Sequence, residues 1–180
     1  MEFADAVRQE IRREPPQFVA VELPATFENA YGRSVERLPK LSIIIYNSDA
    51  ADEAVYVPVE ATDPFVEALR SAREFGIPAA FLDPDLSDRP HVEDVYPDAY
   101  AVTRVGLQKY VESYRMQARE SDDALLVHAE GAAWKLQGCD PDAEILVVVS
   151  LNLLDPLLEA MERPQTQPLR KSTRRATCAP

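Results

Sequence analysis

The sequence predicts an α/β domain, a mostly parallel β-sheet with helices on both faces. Three observations carry this reading. Short β-branched runs alternate with longer stretches whose apolar residues recur at helical spacing. Most of these segments are punctuated by proline, glycine or polar clusters. The length of 180 residues, 46% of them hydrophobic, suits a single domain with a buried core. Strands separated by helices join most simply as parallel βαβ units, whose sheet must be covered on both sides.

Each segment has a local reason. Phe3, Val7 and Ile11 share a helical face that Pro15-Pro16 ends. Phe18-Val19-Ala20-Val21-Glu22-Leu23 is a short strand closed by Pro24, after which Thr26 is placed to cap a helix carrying Phe27, Ala30 and Tyr31. Residues 41–46 form a strongly β-prone run, and residues 55–60 a second whose Pro58 points to a sheet edge. Asp63 or Thr62 caps the next helix, Pro64 fits its first turn, and Gly76 stops it. Ala79-Ala80-Phe81-Leu82 then leads to Asp83.

Residues 84–98 form a long proline-rich and acidic loop, a length that ordered domains often reserve for function. One helix is expected from about Ala99 to Arg119 with Asp98 as cap, and another from Asp122 to Gln137 with Ser121 as cap. Ile145-Leu146-Val147-Val148-Val149 reads as a fully buried strand. Asn152 or Asp155 is expected to open a final helix ending near Glu162. Residues 1–162 are thus read as a single α/β domain, and 163–180 as a basic, disordered tail.

Charge narrows the partners. Of 19 basic residues, five lie after Glu162, where there is no acid, so residues 1–162 hold 14 bases against 31 acids, a net charge of −17. Such a body argues against nucleic acid, whose phosphates require basic surfaces. No apolar run is long enough to span a bilayer, and the N-terminus lacks a signal-peptide core, so a cytoplasmic location is expected. Cys139 and Cys178 read as reduced thiols. No P-loop, dinucleotide fingerprint, nucleophile elbow or HExxH motif occurs.

Open α/β sheets bind ligands beyond the carboxyl ends of their strands. Glu22, Glu60 and Asp83 stand at such ends, and His91 lies in the long loop leaving the same rim, together with Glu93 and Asp94. Carboxylates and an imidazole are a donor set for a divalent metal ion. Clustered carboxylates also raise one another's pKa, so Glu22 and Asp83 are the candidate acid and base. The plain alternative is that these acids cap helices or face water. His128 and Glu130, two positions apart, do not share a helix face, which favours an exposed or hydrogen-bonded histidine over a metal ligand. Trp134 reads as a packing residue.

The segments FVAVELP, RLPKLSIIIY, VPVEATDPFVEALRSAREFGIPAAFLDPDL and YPDAYAVTRVGL resemble the superfamily of TraB/PrgY pheromone-shutdown proteins, TIKI proteases, erythromycin esterases and ChaN-like haem-binding proteins. So does the closing pattern of a helix, ILVVVS and LLDPLLEAME. The resemblance spans about residues 3–162. It implies an EreA/ChaN-like α/β fold, matches Glu22 to the family's strand acid, and implies metal-dependent hydrolysis where two G-x-x-H motifs are kept. Here nothing ahead of Glu2-Phe3-Ala4 could hold the first motif, as expected of an N-terminally shortened chain that lacks the first strand or of a divergent member. Ser150 and Leu153 stand where the second motif would have glycine and histidine, and leucine cannot ligate a metal.

Two functions follow. One is a non-catalytic binding or regulatory domain for a small molecule or peptide. The other is a metal-dependent hydrolase acting on an ester or peptide bond through Glu22, Glu60, Asp83 and His91. Self-association is expected in either case, because a missing first strand would expose a sheet edge.

Overall fold

The computed structural model describes residues 1–47, 54–86, 95–117, 123–168 and 176–179. It is α/β, with two three-stranded sheets among the described residues. Strands β1 (Phe18–Pro24), β4 (Ala79–Asp83) and β5 (Ile145–Val148) form a parallel sheet in the order β4-β1-β5. Strands β2 (Ser42–Asn47), β3 (Ala54–Val59) and β6 (Thr177–Ala179) form an antiparallel sheet in the order β3-β2-β6. The expected parallel pairing therefore holds for one sheet of the two. The reason is connection length. An antiparallel pair closes over a short link, whereas a parallel pair needs a crossover of about a dozen residues or more, and few residues separate Asn47 from Ala54.

The helices are α1 (Glu2–Arg13), α2 (Glu28–Arg37), α3 (Pro64–Phe75), α4 (Ala101–Val105), α5 (Leu107–Arg115), α6 (Asp123–Gln137) and α7 (Leu151–Met161). Helix α3 has the boundaries its sequence predicts. Asp63 Oδ1 accepts the N–H groups of Phe65 and Val66 at 2.7 and 3.1 Å, and Gly76 ends the helix at φ 68°.

Three expectations are corrected. Thr26 does not cap α2: it lies in a 3₁₀ turn over Ala25–Phe27, and its N–H donates to Asp85 Oδ2. The single helix from Ala99 is two, because Gly106 takes φ 84° and ψ 160°, which breaks the helical ladder between α4 and α5. Asp98 still accepts the Tyr100 N–H at 3.0 Å ahead of the first of them. The last helix opens at Leu151 behind Ser150, earlier than Asn152 or Asp155. Ser121 lies outside the described residues.

The segment read as a disordered tail is tied down where it is described. The Gln165 N–H donates to Gln137 Oε1 at 2.9 Å, and β6 pairs with Ile43, Ile44 and Ile45 of β2. An edge strand's unpaired groups attract any extended segment within reach, and residues 177–179 supply one.

The core divides at the parallel sheet. Val19, Val21, Leu23 and Phe81 join Ile11, Val35, Ile44, Val59 and Leu69 in one cluster. Ala20 and Leu82 join Ala129, Ala132, Leu136, Leu153 and Leu157 of α6 and α7 in another. The alternation of side chains along β1 sorts its residues between the two.

Candidate functional site

Glu22 follows Val21 near the carboxyl end of β1, and strand alternation turns it to the same face as Ala20, toward α6 and α7. It is 8% exposed. Glu22 Oε2 accepts two hydrogen bonds from the residue that follows β5 and Val149: the Ser150 N–H at 2.7 Å and the Ser150 hydroxyl at 2.6 Å. From α6, His128 Nε2 stands 3.6 Å from Glu22 Oε1, too far for a direct hydrogen bond and close enough for a charge interaction. Burial pushes the Glu22 carboxyl up. The opposed His128 and the two Ser150 hydrogen bonds outweigh it and hold the group below the usual carboxylate range.

This arrangement changes α7. Ser150 occupies its N-cap position with extended φ and ψ, yet its side chain makes no bond to the helix, because the hydroxyl is committed to Glu22. The helix start is thus fixed to the central strand by a charge-assisted pair of hydrogen bonds.

His128 is 1% exposed. The sequence reading, exposed or hydrogen-bonded, missed its burial. The missed signal is that His128 lies four and eight positions before Ala132 and Leu136, on the apolar stripe of α6. Ser150 was missed as a partner of Glu22 because only strand order places residues 22 and 150 side by side.

Asp83 ends β4 on the same rim as Glu22, where β4 pairs with Pro24 of β1 across a shift in register. Asp83 Oδ1 accepts the Asp85 N–H at 2.7 Å. Asp85 is held at φ 60° and is buried, and its Oδ1 has no hydrogen-bond partner. Glu60 follows β3 in the other sheet and is exposed, with the Thr62 hydroxyl donating to it at 3.4 Å. His91, Glu93 and Asp94 lie outside the described residues.

The proposed metal set is therefore not assembled by Glu22, Asp83 and Glu60: among the described residues, no three His, Cys, Asp or Glu side chains come together in a metal-binding group. The three stand apart because Glu60 follows a strand of the other sheet, while Glu22 and Asp83 end neighbouring strands of the parallel one. Leu153, at the position where the resemblance expects histidine, is fully buried in the second cluster.

Beside this group runs a cleft of about 1070 Å³. Its floor is β5, from Leu146 through Val149 to Ser150. Its walls are Phe3 and Val7 of α1, Val102 of α4, and Leu107, Tyr110 and Val111 of α5. Most of the lining is apolar, and Tyr110 is anchored by its hydroxyl donating to the Pro97 carbonyl at 2.6 Å. Ser150 belongs both to the cleft and to the Glu22 group.

No helix among the described residues is long and apolar enough to cross a membrane. Compared with known proteins, the chain matches no family model, no curated protein and no solved structure.

Proposed function

We propose that this chain is a non-catalytic binding or regulatory domain, a divergent cytoplasmic relative of the TraB/TIKI group with an EreA/ChaN-like ancestry, whose ligand occupies the cleft along β5. The observation that carries this reading is the cleft itself: large, lined by apolar side chains, and bordered by the one polar group, Ser150, that is locked to a buried carboxylate. Binding sites characteristically combine an apolar lining with a few fixed polar groups.

The hydrolytic alternative has less support in the geometry. A nucleophilic serine needs its hydroxyl on a base that a third group orients. Ser150 instead donates to Glu22, with the carboxylate in the middle and His128 on its far side. That order ties the start of α7 to β1 and sets a carboxylate already held by the Ser150 N–H, rather than an imidazole, on the hydroxyl.

Titration with the neutral apolar dye Nile red tests the cleft. Leu107 lines it and is exposed, while Leu158 is exposed on α7 outside it. Leu107→Glu is expected to weaken dye binding by about tenfold, equivalent to about 1.4 kcal/mol. Leu158→Glu is expected to leave binding unchanged, with both variants melting like the parent. Equal dye affinity in all three proteins would refute the reading.

A further inference from the structure

We infer that the occupant of the cleft is an extended polypeptide segment of a partner protein, apolar at alternate positions and flanked by basic residues, which adds to β5 as a new edge strand. The inference rests on the cleft reading and names the ligand class.

The two edges of the parallel sheet are treated differently. In a parallel ladder, alternate residues direct their N–H and C=O groups to the same side. The Val19 N–H donates to the Pro78 carbonyl, so the carbonyls of Phe81 and Asp83 on β4 point away from β1. Lys135 Nζ donates to both, at 3.0 and 2.6 Å, and closes that edge. A lysine on an edge is a common guard against unwanted strand pairing.

Among the described residues no such guard stands at β5. The Phe18 N–H donates to the Glu144 carbonyl, which sets Leu146 and Val148 toward β1 and turns the N–H and C=O groups of Ile145, Val147 and Val149 outward. Among the described residues β1 is the sole strand beside β5, and these outward groups make none of the described loop or turn hydrogen bonds. The run Ile-Leu-Val-Val-Val contains no proline, no charge and no bulge. Its open side is the cleft floor.

An unpaired backbone row in an apolar cleft calls for a ligand with its own backbone donors and acceptors, which is the basis of strand addition. Alternate side chains of such a segment would meet the α1 wall on one side and the start of α7 on the other. Charge selects the flanks: residues 1–162 carry a net charge of −17, which attracts a basic segment and repels an acidic one.

The test uses the full chain and a fluorescein-labelled probe peptide of alternating valine and threonine flanked by lysines, with two N-methylated versions. One is methylated on every second residue from the first valine, the other on the intervening residues. Fluorescence anisotropy is expected to show binding that falls at least about tenfold for one methylation pattern and stays within about twofold for the other. Hydrogen exchange is expected to show new protection at the Val147 and Val149 amides. Equal binding of both methylated probes, or no protection at these amides, would overturn the inference. So would protection that rises with protein concentration alone, which would assign the edge to a second copy of the chain. If Nile red binding responds to Leu107→Glu while the peptide does not bind, the strand inference fails and the cleft reading stands; loss of both removes both.

Discussion

The Glu22 carboxylate is buried and ionised at the same time, a combination that is costly unless hydrogen bonds repay it. Ser150 supplies two, and His128 faces the remaining oxygen. Glu22→Gln keeps the shape and removes the charge, and its expected cost is about 1–3 kcal/mol at neutral pH, read as a lower Tm. Because the folded carboxyl titrates below its ordinary value, its stabilisation is complete above the unfolded pKa of about 4.3 and fades as pH falls through the lower folded value. Melting curves of parent and Glu22→Gln are therefore expected to converge as pH falls through that lower folded value. A gap that widened in acid would contradict this assignment. Gly106 offers a second local test. Its φ of 84° with ψ 160° suits glycine alone, and no atom lies within 4 Å of where a Cβ would stand. Gly106→Ala is expected to cost about 1–3 kcal/mol through the backbone, measured by denaturant unfolding. A neutral result would show that the α4–α5 break can relax.

Among the strands and helices, local punctuation decided what was legible. Asp63, Pro64 and Gly76 bound α3 where they stand in the sequence, because caps act within a few residues. The break at Gly106 was hidden: a single glycine inside an apolar period reads as a tolerated one until its backbone angles are known. The β2–β3 hairpin was legible in principle from the lack of helical spacing between residues 47 and 54, but alternation elsewhere in the chain favoured a parallel reading. Lys135 shows how far a helix serves a sheet. Lys135→Met frees the outward carbonyls of Phe81 and Asp83, with an expected loss of about 1–3 kcal/mol and faster aggregation by light scattering, since β4 becomes an open edge. Unchanged stability and solubility would mean that this edge needs no guard.

Across the chain, the second sheet depends on a segment far away in sequence. β6 covers β2, and the Cys178 thiol lies 3.1 Å from the Ser34 hydroxyl. Removing residues 176–180 is expected to uncover the β2 edge, which size-exclusion chromatography with light scattering would report as new, concentration-dependent association. A variant eluting like the parent would show that β6 is dispensable.

Composition and periodicity by themselves determined the α/β class, the extents of α1, β1, α3 and β4, and the location of Glu22 and Asp83 at strand ends, because these depend on neighbours along the chain. Tertiary structure alone decided that Glu60 follows a strand of another sheet, and that His128 and Ser150 meet Glu22. Strand order and side-chain alternation fix those meetings, and neither is written in any single stretch of residues.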